Sequence, residues 1–148
     1  MIYKMHLFKM QTVSSRAEYR RIKKFLAQTS TGQIFKVIAR SAFHIKFKIL
    51  PHPEGQCLII INKNYPQVQP VWEVTMGTKR TMSHEKQVPI RAKTLLQAFV
   101  LCLFVTGQHL GIDIPQEAHE LDPAFISQLQ LSFSQNPLGF QLHVKENY

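Results

Sequence analysis

Apolar and polar positions alternate most strictly between Phe43 and Ile49. Phe43, Ile45, Phe47 and Ile49 fall on one side of the repeat, and His44, Lys46 and Lys48 on the other. A period of two is that of extended chain, so this stretch predicts a strand with one buried face and one wet, basic face. A strand-like run with Ile34, Phe35, Val37 and Ile38 precedes it. After the turn LPHPEG comes QCLIIIN, which is apolar on both faces and so predicts a central strand. PVWEVTM predicts a fourth strand, with Val71, Glu73 and Thr75 set against Trp72, Val74 and Met76.

Helical spacing appears on either side of these strands. In SSRAEYRRIKKFLAQ, Tyr19, Ile22, Phe25 and Leu26 make one stripe, while Arg16, Arg20, Arg21, Lys23 and Lys24 cover the remaining surface. Ser14 or Ser15 can cap this helix, and Glu18, three residues after Ser15, fits a capping box. The preceding MIYKMHLFKM alternates roughly and reads as a short strand or an appendage. PIRAKTLLQAFVLCLFVTGQHLG predicts the main helix, with Pro89 in its first turn, a body from Lys93 to Gln108 and Gly111 as its stop. Little polar surface remains on it, so it should lie buried against the sheet. GTKRTMSHEKQV is polar and reads as a loop. Beyond Gly111, Asp122 and Pro123 can open a short helix through Leu131, and GFQLHV can form a closing strand or a packed extension. The fold class expected is α+β: an N-terminal helix, an antiparallel four-stranded meander and a long C-terminal helix packed on the sheet.

The chain has 148 residues, enough for one domain with its own core. Charge changes the picture more than length does. Eighteen Lys and Arg face nine Asp and Glu, a formal net charge of +9. Residues 1–48 hold eleven of the basic residues and one acid, Glu18; residues 49–148 are close to neutral. A basic first third fits an anionic partner, either nucleic acid or an acidic protein surface, and it equally fits a solvated face. If Arg16, Arg20, Arg21, Lys23 and Lys24 converge with Lys36, Arg40, Lys46 and Lys48, they make a patch that holds phosphates without reading bases. Phe43 and Phe47 share a face with Ile45 and Ile49 and so read as core, not as stacking platforms.

Candidate catalytic chemistry is sparse. The glycines are isolated, so no phosphate loop is present, and no serine elbow occurs. Cys57 and Cys102 lie in apolar runs and read as buried thiols of a reducing compartment. No cysteine pair or histidine spacing suits a metal, so neither metal nor cofactor is expected. Asp113, Glu117, Glu120 and Asp122 gather near His119 but read as a local acidic loop. The apolar run from Leu95 is about half of what a membrane span needs. The expectation is an intracellular protein, nuclear or cytoplasmic, without membrane partners.

The remaining signal is LIIINKNYPQVQPVWEV. Pro66 and Pro70 restrict the residues before them and remove two backbone donors. They predict a rigid, extended crossover between two strands, with Tyr65 folded against the core and its hydroxyl bonded to backbone. This segment, in its order of elements, resembles the RWD domain, a non-catalytic relative of the ubiquitin-conjugating enzyme fold. The matching residues are Tyr65, Pro66 and Pro70; Gln69 stands where a second proline is often found. The resemblance covers roughly residues 14–111, leaving 112–148 as a C-terminal extension of the single domain. The enzymes of that superfamily carry a His-Pro-Asn element followed by a nucleophilic cysteine, and this chain has no His-Pro-Asn after the turn. The resemblance therefore implies a non-enzymatic protein–protein interaction module, a subunit of a nuclear multiprotein complex. The alternative is a basic RNA- or DNA-binding protein that contacts the phosphate backbone without sequence readout. Oligomeric state and the identity of the partner are not encoded in these patterns.

Overall fold

A computed structural model describes residues 2–85, 88, 90–113 and 115–135. Helix α1, Ile2–Gln28, leads through a short 3-10 turn into strands β1 (Phe35–Arg40), β2 (His44–Ile49), β3 (Gly55–Ile60), β4 (Val71–Met76) and β5 (Lys79–Met82). Helix α2 (Leu95–Leu110) follows, then a second 3-10 turn, Gln116–Glu120, and helix α3, Pro123–Gln135. The class is α+β, as the patterns require. The strands form one antiparallel sheet in sequence order, with β3 at its centre.

The sheet has five strands, not four. Residues 79–82, read as loop, pair with β4 across a two-residue connection in which Gly77 takes a φ of 65°. Only four residues long, β5 shows too little alternation to reveal itself; Thr81 turns inward and is buried opposite Val74. The N-terminal stretch is helical as well, not a strand. A helix already nucleated extends at low cost, which outweighs a weak alternation over 1–10. Ser14 and Ser15 therefore lie inside α1, and there is no capping box at that point.

The core fills the face of the sheet covered by the helices. Phe99 of α2 sits at its centre, with ring centroids 6.1 Å from Phe25, 6.3 Å from Phe35 and 5.5 Å from Phe47. One aromatic side chain thus ties α1, β1 and β2 to α2. Helix α2 begins at Leu95, later than Lys93, because Thr94 takes an extended conformation and its hydroxyl accepts from the Gln97 N–H. Gln97 answers by accepting from the Lys93 N–H at 2.8 Å. Pro89 lies outside the described residues. Gly111 ends the helix as expected, in the left-handed region at φ 71°.

The chain beyond Gly111 joins the same core through Ala118, Leu121, Phe125, Ile126 and Leu129. Asp122 caps α3, accepting from the Phe125 N–H, and its other oxygen accepts from the Gln97 amide of α2. The GFQLHV segment lies outside the described residues. Among the described residues, no helix is long and apolar enough to cross a membrane.

Candidate functional site

The two prolines do not make an extended crossover. Residues 63–67 are turns, the Tyr65–Pro66 peptide is cis, and Pro70 is buried where the chain enters β4. Tyr65 is buried, and its hydroxyl accepts from the Leu95 N–H at 2.7 Å, the expected bond to backbone. The same hydroxyl donates to Glu18 Oε1 at 2.5 Å, while Glu18 Oε2 accepts from the Leu96 N–H at 3.0 Å. The first N–H groups of a helix have no partner within it. Here Tyr65, Glu18 and Thr94 satisfy three in succession, and the carboxylate sits at the positive end of the helix dipole. Burial, with the carboxylate beside it, pushes the Tyr65 phenol well above its ordinary range. This turn is a structural joint between α1, the strands and α2.

Neither thiol reaches solvent. Cys57 and Cys102 are both buried and unlinked, and Cys57 Sγ lies 3.7 Å from the Thr106 hydroxyl. Burial pushes the Cys102 thiol up, and a hydrogen bond with Cys57 pushes it further. A thiolate nucleophile needs the opposite surroundings: exposure and nearby positive charge. Among the described residues no three His, Cys, Asp or Glu gather as metal ligands.

The basic residues do not form one patch. In β1 the register slips between Val37 and Ala39, leaving Ile38 as an extra, bulged residue. Lys36 pairs with Lys48, and Ala39 pairs with Lys46, so these lysines stand on the open face of the sheet. After the bulge Arg40 pairs with Ile45 and so turns to the helix side, where its guanidinium lies 4.0 Å from the centroid of the Tyr19 ring. Arg16, Arg20, Arg21, Lys23 and Lys24 are exposed along α1, on that same side of the sheet. Arg21 is partly spent: it donates to the Leu121 carbonyl at 3.0 Å.

Two surfaces result. The first is the open sheet face. Lys36, Lys46 and Lys48 lie beside Leu58 and the exposed Ile38 (49%), Ile60 (45%) and Val71 (41%). Ile60 and Val71 are direct cross-strand partners, and Lys46 faces Leu58. Glu73, the one acid on this face, is paired with Arg80 at 2.8 Å. The second is a cleft of about 800 Å³ on the helix side, between α1, the β1–β2 connection and the loop before Tyr65. Arg16, Arg40 and Lys63 line it, together with Phe43. Phe43 is a correction: it precedes β2, caps the hairpin and is 55% exposed, while Ile45, Phe47 and Ile49 fill the core.

Lys63 and the open-face aliphatics are not among the candidate site residues of the sequence, and Phe43 is there assigned to the core. Phe43 was misassigned because strict alternation continues through it, although the strand does not. Lys63 carries no local pattern, since only the tertiary fold brings its loop beside Arg40. No family model, no curated protein and no solved structure matches the chain.

Proposed function

We propose that the chain is a non-catalytic protein–protein interaction module of the RWD type, acting as a subunit of a larger, nuclear complex. The observation that carries this reading is the open sheet face. An antiparallel sheet often leaves one face to water, and that face is then polar along each strand. Here it keeps Leu58, Ile60 and Val71 together, with Ile38 across Lys46 on β1 and three lysines beside them. Contiguous exposed apolar surface of this kind marks a place where another protein sits. The occupant that fits is a partner segment with an apolar stripe flanked by acids, which meets both the aliphatics and Lys36, Lys46 and Lys48. Further support comes from the joint at Tyr65, Pro66 and Pro70, which has the residues of the family turn, and from the burial of both thiols, which leaves no nucleophile for ubiquitin transfer.

The test is co-purification from cells of the source organism, followed by size exclusion of the recovered complex. A stoichiometric partner is expected with the native chain and should be lost with Ile60→Asp or Val71→Asp, each made singly because the two positions face each other, and each with cooperative melting retained. Retention of the same partner by these variants moves the interface off the sheet. A thiol-sensitive adduct with a ubiquitin-like protein, formed by the native chain and absent from Cys102→Ser, overturns the non-catalytic assignment.

A further inference from the structure

We propose that the cleft between α1, the β1–β2 hairpin and the loop before Tyr65 binds single-stranded nucleic acid, with phosphates on Arg16, Arg40 and Lys63 and a base stacked on Phe43. This site is independent of the open sheet face and does not rest on the partner reading.

Charge comes first. The three cations belong to three different elements, and no carboxylate lines the cleft. None of the three is seen in an ion pair among the described residues. Glu18, two residues beyond Arg16 in α1, has both oxygens engaged, by Tyr65 and by the Leu96 N–H. Arg40 is also oriented. Its guanidinium carbon lies over the Tyr19 ring, 4.0 Å from the centroid, and no carboxylate takes up its N–H groups among the residues of the cleft. Such a cleft attracts anions, and phosphates spaced along a strand suit cations spread around its walls.

Phe43 decides between anions. A large apolar ring, 55% exposed, stands at the rim of a basic cleft. Its backbone is held on both sides. The Phe43 N–H donates to Ser41 Oγ at 3.1 Å, and its carbonyl accepts from the Ile61 N–H at 2.7 Å. Ser41 Oγ is itself 2.8 Å from His44 Nδ1. A ring carried on an anchored backbone and open to solvent is a stacking platform for any base, because every base has a π-face. A run of acidic residues satisfies the cations equally well but offers the ring no aromatic face. In a duplex the bases are already stacked, so the ring has nothing to take up. The cleft volume of about 800 Å³ lies in the range of ligand sites.

The experiment is fluorescence anisotropy on the full chain, with ten-nucleotide oligo-dT and oligo-U, the matching duplex and a poly-glutamate peptide as probes. Single strands are expected to bind more tightly than duplex or peptide, and the tighter of the two names DNA or RNA as the natural ligand. Phe43→Ala should weaken single-strand binding roughly ten-fold and leave its salt dependence unchanged, since no charge is removed. Phe43→Trp should restore it. Arg40→Glu with Lys63→Glu should abolish binding; Lys63→Ala alone should lower the slope of log K against log salt by about 0.7. All three positions are exposed, and melting temperature checks the fold of each variant. Equal affinity for duplex and single strand, indifference to Phe43→Ala, or tighter binding of poly-glutamate each overturns the proposal, the last in favour of an acidic protein ligand.

Discussion

The two faces of the sheet are made by the same strands, yet they obey different rules. β2 sends Ile45, Phe47 and Ile49 to one side and His44, Lys46 and Lys48 to the other. On the helix side every position must fill space, and Phe99 closes a cluster with Phe25, Phe35 and Phe47. On the open side nothing among the described residues demands an apolar group, yet Ile38, Ile60 and Val71 are there and exposed. On the proposed function, stability and partner choice are thus separated across the thickness of one sheet. The bulge at Ile38 is the exception that joins the faces, because it hands Arg40 from the open side to the helix side.

The largest test of this difference is Phe99→Ala. The residue is fully buried and touches three elements, so the cost should be about 3–5 kcal/mol. Trp72, the single tryptophan, is itself buried and reports the transition by fluorescence during urea unfolding. A cost below about 1 kcal/mol, the usual scale of a substitution outside the core, removes Phe99 from the centre of the core and collapses the contrast between faces.

Second is the joint at Tyr65. Glu18→Ala leaves the Leu96 N–H and the Tyr65 hydroxyl short of an acceptor in a partly buried place, at about 1–3 kcal/mol. Tyr65→Phe adds a pH signature. The folded phenol holds its proton above the ordinary value of 10.0, at which the unfolded chain begins to release it. The folded state then binds more protons than the unfolded state, so stability falls as pH rises past that value. The contribution is complete below it. The difference between native and Tyr65→Phe proteins should therefore be constant up to about pH 10 and shrink above it; a difference that grows there contradicts the bonding described.

The sequence carries this architecture unevenly. β2, β3, β4 and the stripe of α1 are legible because each presents a repeat long enough to exceed chance, and Gly111 announces the end of α2. Thr94 and Gln97 have the spacing of a capping box, with the return bond made to the Lys93 N–H, one residue before the cap, and Pro89 lies upstream of non-helical residues 90–93. β5 is too short for a period to register. The candidate sites were least legible. Lys36, Lys46 and Lys48 could be assigned to a wet face by alternation, but a bulge changes phase without any local mark, and it separates Arg40 from them. Lys63 and Arg16 meet Arg40 only through the fold. The third test bears on the cap. Thr94→Ala should cost about 1 kcal/mol, less than Glu18→Ala, since its hydroxyl serves one N–H and water can replace it.

The smallest expected effect falls on the open face. Ile60→Thr and Val71→Thr keep β-branched side chains at paired positions of β3 and β4, so the backbone preference for strand is preserved. Both residues are already more than two-fifths exposed, and little further apolar area is opened to water. Stability should change by less than about 0.5 kcal/mol. The same pair should weaken partner retention markedly, because the apolar contact is made only in the complex. Denaturation and co-purification on one preparation read both quantities. If stability falls by the amount expected for a core position, the open face is held by the chain's own packing and is not a docking surface.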